Sequence, residues 1–180
     1  SLYRLSVIGG EANDTVLGGA LSDTIFGGAG NDSLYGYAAD DLFIFNATKT
    51  LTVDDTVRGG GHTTGDTVRV DLTGSVSFTL DANFSEVETL VLNDQGDDTS
   101  DANVTLATAF AQTLLVIDGG SMDAGQVLTV NASSNSAFEA VDVTAGAGDD
   151  ILTGGGANDY LRGGAGSDIV NGGAGDDALE

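Results

Sequence analysis

Gly163-Gly164-Ala165-Gly166-Ser167-Asp168-Ile169-Val170-Asn171 is followed directly by Gly172-Gly173-Ala174-Gly175-Asp176-Asp177-Ala178-Leu179-Glu180, the same nine-residue phrase twice. Working outward, the phrase recurs as AGAGDDILT from Ala145 and GGGANDYLR from Gly154. A second block spells it as GGEANDTVL, GGALSDTIF, GGAGNDSLY and GYAADDLFI, from Gly9 to Ile44. A fixed internal period dictates architecture before any local propensity does. The sixth position is always aspartate: Asp14, Asp23, Asp32, Asp41, Asp150, Asp159, Asp168 and Asp177. The eighth is a large apolar residue each time: Val16, Ile25, Leu34, Phe43, Leu152, Leu161, Val170 and Leu179. Eight glycines fall in the first block and eleven in the second, of 28 in the chain. They belong to the pattern and not to a linker.

Each phrase divides in two. Its last three residues turn one apolar side chain inward between two outward ones, which is a very short strand. Its first six form a turn whose paired glycines can take positive φ and leave carbonyl oxygens pointing together. A carboxylate and several carbonyls converging on one point suit a hard cation. Ca²⁺ takes six to eight oxygens, whereas Mg²⁺ demands a tight octahedron and keeps its water. Zn²⁺ favours nitrogen and sulfur donors, and the one histidine, His62, lies outside the repeats.

These residues resemble the glycine-rich nonapeptide G-G-x-G-x-D-x-U-x of RTX calcium-binding proteins, over residues 9–44 and 145–180. The resemblance implies an all-β fold, a right-handed parallel β-roll in which two nonapeptides make one coil. Ca²⁺ would sit between stacked turns, so that Asp14 pairs with Asp32, Asp23 with Asp41, Asp150 with Asp168 and Asp159 with Asp177. Carbonyls of Gly9, Gly18, Gly27, Gly30, Gly154, Gly163, Gly166, Gly172 and Gly175 complete the expected ligand set, with about two ions per block. Only the windows at Gly27, Gly163 and Gly172 keep the whole GGxGxD. Ala12, Leu21, Ala39 and Ala157 replace the fourth glycine and Tyr37 a second one. A Cβ opposes positive φ, so the sites beside Leu21 and Tyr37 are expected to be the weakest and the C-terminal block the more complete.

Composition points the same way. Five basic residues against 28 acidic ones leave a formal charge of −23, and 23 of the acids are aspartate. Nucleic acid and anionic membrane would be repelled, so neither is an expected partner; cations are. Without cysteine there is no disulfide and no thiolate zinc site. No apolar run is long enough to span a bilayer. The start, Ser1 to Ile8, is too short and polar for a leader, and without Met it is read as part of a longer chain.

Three segments follow: residues 1–46 and 145–180 as calcium blocks, and 47–144 as a metal-free or decayed β-helical middle. In that middle, residues 66–72 and 75–80 alternate as strands with one inward face. Residues 89–92, 113–117 and 127–130 are apolar on both faces, which fits strands covered on both sides. Leu90, Val116, Val130 and Val143 would mark successive coils, and Ala-rich Asp101 to Gln112 could form a short helix. Residues 83–90 resemble segments between calcium blocks in RTX surface-layer proteins and adhesins. Asp54 to Gly61 reads as a decayed repeat, in which Asp55 and Asp66 are extra ligand candidates or, more simply, solvated turn acids.

No H-E-x-x-H and no G-x-S-x-G occurs, and His62 has no nucleophile elbow around it, so the chain is read as non-enzymatic with no catalytic residues. Glu86 and Glu88 would share a strand face as an exposed acidic edge. A block of two coils buries only four core side chains, too few to offset the ordering of its backbone, so Ca²⁺ is expected to be part of the fold. Extracellular sites of this kind bind at about 10⁻⁴–10⁻³ M, which suits folding after export. The reading is a calcium-binding structural segment of a secreted cell-surface protein, folded by extracellular Ca²⁺ after type I secretion. Surface-layer assembly would proceed by self-association, or the roll would continue into a longer parent chain. The alternative is the folding and secretion module of an exported enzyme or an adhesin.

Overall fold

The computed structural model describes residues 3–46, 51, 52, 54–96, 99–107, 114–135 and 139–180. Eighteen strands follow one another, with no helix among the described residues. The first coil holds β1 (Ser6–Ile8) and β2 (Thr15–Gly19), the second β3 (Thr24–Phe26) and β4 (Ser33–Ala38), the third β5 (Leu42–Asn46) and β6 (Thr56–Gly61). The fourth has three strands: β7 (Thr67–Leu72), β8 (Val76–Leu80) and β9 (Phe84–Ser85). Then come β10 (Thr89–Asp94) with β11 (Ala102–Leu106), β12 (Leu114–Asp118) with β13 (Leu128–Asn131), and β14 (Ala140–Thr144) with β15 (Ile151–Thr153). The last are β16 (Tyr160–Arg162), β17 (Ile169–Asn171) and β18 (Ala178–Leu179).

All pairing described is parallel, as a coil that returns to the same wall each turn requires. One wall is a single nine-stranded sheet, β1-β3-β5-β7-β10-β12-β14-β16-β18, which runs through all three sequence segments. The facing wall is two sheets, β2-β4-β6-β9 and β17-β15-β13-β11-β8. They meet in the fourth coil, where β9 closes one and β8 opens the other. This is the all-β parallel roll that the repeats imply.

Strand period 2 turns alternate residues inward, and parallel register stacks them. On the long wall Val7, Ile25, Phe43, Val68, Leu90, Ile117, Val143, Leu161 and Leu179 form one unbroken ladder. Phe78, Val104, Val130, Leu152 and Val170 face its C-terminal half. Ile25, Phe43, Val68, Leu90, Ile117, Val143 and Leu161 are all buried, while Leu179, on an edge strand with nothing stacked beyond it, is 49% exposed. Most middle strands are five or six residues long and bury two or three side chains, as Val68, Val70 and Leu72 do; β9 and β13, of two and four residues, are shorter. Calcium-block strands of three residues, such as β3 and β16, bury one. Core apolar area per coil is therefore concentrated where the repeat is absent.

Three sequence expectations change. Ala102–Leu106 is strand β11 and not the start of a helix, because its alternate residues Ala102, Val104 and Leu106 complete the inner face beside β8 and β13; residues 108–113 lie outside those described. The runs apolar on both faces are not covered on both sides. Leu115 and Ile117 are buried, but Leu114 is exposed and Val116 only half-buried. The coil markers shift as well, since Leu90 stacks on Ile117, one residue beyond Val116, and Val130 belongs to the opposite wall. A one-residue slip exchanges the two faces of a strand. The sequence alone cannot choose between two adjacent apolar residues.

That register carries a test. Leu90→Ala should cost about 2–5 kcal/mol by emptying the middle of the ladder, whereas Val116→Ala should cost under about 1 kcal/mol. Urea unfolding of both variants in saturating Ca²⁺ reads the difference, and equal losses would refute the register.

Candidate metal centres

A three-residue strand makes too few hydrogen bonds to hold its own corner, and the aspartate at position six supplies the missing one. Its Oδ1 accepts the N–H of the residue one coil earlier. Asp32 accepts from Asp14 at 2.9 Å, Asp41 from Asp23 at 2.7 Å, Asp168 from Asp150 at 2.9 Å and Asp177 from Asp159 at 2.9 Å. Asp23, Asp150 and Asp159 accept in turn from Leu5, Leu128 and Val141, at 2.7, 2.7 and 2.9 Å. Every aspartate pair expected from the repeat is thus stacked one coil apart. The spacing of 18 residues between partners is two nonapeptides per coil.

The second oxygen is the informative one. Oδ2 of Asp23, Asp41 and Asp150 is buried with no hydrogen-bond partner, an arrangement that costs free energy unless a cation answers it. Burial pushes the Asp41 carboxyl up to about 6 and raises that of Asp150. Loss of water around the carboxylate is the main cause, and the stacked neighbouring acids add to it. Oδ2 packs over the first glycine of its own turn, and the carbonyl of the next coil's first glycine closes the same space. A β-carbon on Gly154 would lie 2.4 Å from Asp159 Oδ2 and 2.2 Å from the Gly172 carbonyl oxygen. Gly18 meets Asp23 Oδ2 and the Gly36 carbonyl in the same way, and Gly9 meets Asp14 Oδ2 and the Gly27 carbonyl. Gly163 and Gly172 press against Asp168 and Asp177 Oδ2. Carboxylate oxygens, orphaned at Asp23, Asp41 and Asp150 and accepting the N–H of the second turn glycine at Asp14 and Asp159, together with inward carbonyls and a space that even a methyl group would fill, suit a bare cation held by oxygen. When bound, Ca²⁺ supplies the positive charge that the stacked carboxylates lack.

Turn conformation divides the windows in a way the sequence does not announce. Gly28, Gly30, Gly164, Gly166, Gly173 and Gly175 have positive φ, and so do Tyr37 and Ala39, at 80° and 72°. All belong to the third and fourth windows of a block. Leu21, Ala12 and Ala157 do not enter this region. Leu21 therefore avoids the expected strain, and Tyr37 accepts it. Stacking of the Tyr37 backbone against Gly60, in register in β4 and β6, holds it there.

Sequence reasoning missed a second column. Position-five side chains accept in the opposite sense, from the coil that follows: Asn13 from Asn31 N–H, Asp149 from Ser167 N–H and Asn158 from Asp176 N–H, at 2.9, 2.8 and 2.9 Å. Asp40 does so with the N–H groups of Thr63 and Thr64, at 2.7 and 2.9 Å. The Thr64 N–H foremost, then the Thr64 hydroxyl and the Thr63 N–H, hold its carboxyl well below the usual carboxylate range. The signal was present, since position five is always Asn, Asp or Ser.

The column of position-six acids also runs on beyond the first block. Asp55 accepts from Asp32 N–H at 2.8 Å, Asp66 from Asp41 N–H at 2.6 Å, and Glu88 from Asp66 N–H at 2.7 Å. Asp55 and Asp66 are 4% and 0% exposed, so they are not solvated turn acids. Glu86 and Glu88 flank the bend between β9 and β10 instead of sharing a strand face, and Glu86 takes a φ of 58°.

Comparison with known proteins agrees with this geometry. Residues 17–47 and 144–179 match the RTX calcium-binding nonapeptide repeat, in four copies. No curated protein and no solved structure matches the chain. The chain carries RTX repeats, and RTX repeats bind calcium; they are structural units, typical of secreted proteins, and not catalytic ones. No helix among the described residues is long and apolar enough to cross a membrane.

Two substitutions test the turns. Gly166→Ala places a β-carbon 2.1 Å from the Gly148 carbonyl at a φ of 130°, and strain of this kind costs about 1–3 kcal/mol before the clash is counted. Gly10→Ala meets only Asp14 Oδ2 at 3.5 Å and should be nearly neutral. Thermal unfolding in Ca²⁺ should separate them, and equal losses would show that the turns are not packed in this way. Asp23→Asn keeps an acceptor for Leu5 N–H, removes the charge, and changes only an oxygen with no hydrogen-bond partner. Calorimetric titration should then show weakened Ca²⁺ binding, whereas an unchanged isotherm would mean that this carboxylate only ties the corner.

Proposed function

We propose that the chain is a calcium-folded structural segment of a secreted cell-surface protein, assembling through the ends of its roll in the manner of a surface layer. Calcium is the partner, held by the eight position-six aspartates and the turn carbonyls. The observation that carries assembly is the long wall. Its outermost strands, β1 and β18, each pair on one side only, and unpaired parallel edges invite further strands. Apolar surface accompanies the C-terminal edge, where Leu179, the last residue of the inward ladder, is 49% exposed. A further coil from a parent chain or a second copy would cover this edge. The strong negative charge opposes such stacking until cations neutralise the turns, which couples association to Ca²⁺. Outside the cell Ca²⁺ reaches the range in which such sites fill, so folding would follow export.

Circular dichroism and sedimentation velocity across a Ca²⁺ titration, with Mg²⁺ as control, separate the two parts of this reading. Ca²⁺ alone should produce the β spectrum and then, at higher protein concentration, species larger than the monomer. A β spectrum indifferent to chelator would remove calcium-driven folding. A folded chain that stays monomeric at all concentrations would remove assembly.

A further inference from the structure

Beyond the repeats, one turn departs from the pattern in length and in chemistry. From Gly36 to Asp41 the first glycine and the aspartate are five residues apart; the equivalent turn on the next coil runs from Gly59 to Asp66, with His62, Thr63 and Thr64 inside it. Asp40 fastens the insertion by accepting from the Thr63 and Thr64 backbone and from both hydroxyls. So held, His62 lies against the acid column. Its Nδ1 is 3.3 Å from Glu88 Oε2 and 3.8 Å from Asp66 Oδ2, and the three ligand atoms lie within 4.8 Å of one another.

A His62–Glu88 ion pair accounts for only part of this cluster, because it leaves Asp66 Oδ2 unanswered. Glu88 Oε2 already accepts the Asp66 N–H. Asp66 Oδ1 already accepts the Asp41 N–H. Asp66 Oδ2, on a side chain with no exposure, has no hydrogen-bond partner and is aimed into the cluster; 3.8 Å is too long for a hydrogen bond from His62. Two zinc ligands at about 2.0–2.1 Å and a tetrahedral angle stand about 3.3–3.4 Å apart, which matches the 3.3 Å between His62 and Glu88 and is shorter than the 3.8 Å between His62 and Asp66. The Glu86 carbonyl oxygen also points into this space, at 1.8 Å from where a β-carbon on Gly59 would sit.

We propose that His62, Asp66 and Glu88 form a separate site for one divalent transition-metal ion of the zinc class, at the seam where the second wall changes sheets. An imidazole nitrogen among carboxylates is what separates it from the all-oxygen repeat turns. Nitrogen donors favour Zn²⁺, Co²⁺ or Ni²⁺ over the hard Ca²⁺. The imidazole edge is partly exposed, at 35% of the side chain, so an ion has a way in and the coordination sphere keeps an open position.

The full chain in saturating Ca²⁺, titrated with Co²⁺, tests this. One equivalent should bind and give visible d–d absorption that Zn²⁺ bleaches. His62→Ala should abolish the absorption and weaken binding at least tenfold, and Glu88→Gln should weaken it similarly, with the β spectrum in Ca²⁺ unchanged for His62→Ala. Absence of the absorption, binding displaced by Ca²⁺ alone, or binding undiminished in both variants would overturn the site. Calcium-driven folding is read separately by the spectrum, so the loss of this site would leave that reading standing.

Discussion

The roll depends on one hydrogen bond repeated from coil to coil, in which a carboxylate oxygen accepts the backbone N–H of the residue one coil earlier. It ties Asp14 to Asp32 and Asp159 to Asp177 at the same length. A turn in a parallel coil would otherwise present an unpaired amide at a corner where water is excluded. Aspartate suits the position because its short side chain reaches one amide with Oδ1 and leaves Oδ2 aimed inward. Where the column passes into the middle at Asp66, the next acid is the longer Glu88, which spans the wider corner beside the enlarged turn.

That solution creates its own difficulty. Carboxylates stacked at each coil repel, and burial raises the Asp41 carboxyl to about 6. Hydrogen bonds from amides relieve part of this, and the inward oxygens of Asp23, Asp41 and Asp150 remain unanswered. Calcium resolves the conflict because it brings two charges and accepts many oxygens at once. The glycines follow from the same requirement, since carbonyls and carboxylates can crowd Gly154 only if no Cβ stands there. In the middle coils the balance differs. Strands of five and six residues bury leucine, valine and phenylalanine on both walls, and their corners need fewer acids.

Between these regimes lies the fourth coil, with three strands in place of two. One wall runs straight through while the other changes sheets, so the junction is a discontinuity on one side only. His62, Asp66, Glu86 and Glu88 all gather there, with the enlarged turn and a non-glycine residue of positive φ. Irregular backbone concentrates where a repeating lattice must change step, and such places are where polar side chains escape the demands of the repeat.

Local sequence determined the repeat, the turn glycines, the inward position eight and the stacking of Asp14 on Asp32, because each depends on a period of nine and on short-range sterics. Parallel strands with a single buried face were legible for residues 67–72 and 76–80 through their alternation. What only the tertiary structure decided was register and depth. Val116 and Ile117 are equivalent in composition, and stacking on Leu90 and Val143 selects Ile117. Asp55 and Asp66 look like surface acids until the coils on either side bury them. His62 acquires its neighbours from a residue 26 positions away, Glu88, because the coil length between them sets which side chains meet. Such coincidences arise from closing the chain on itself, and no local pattern records them.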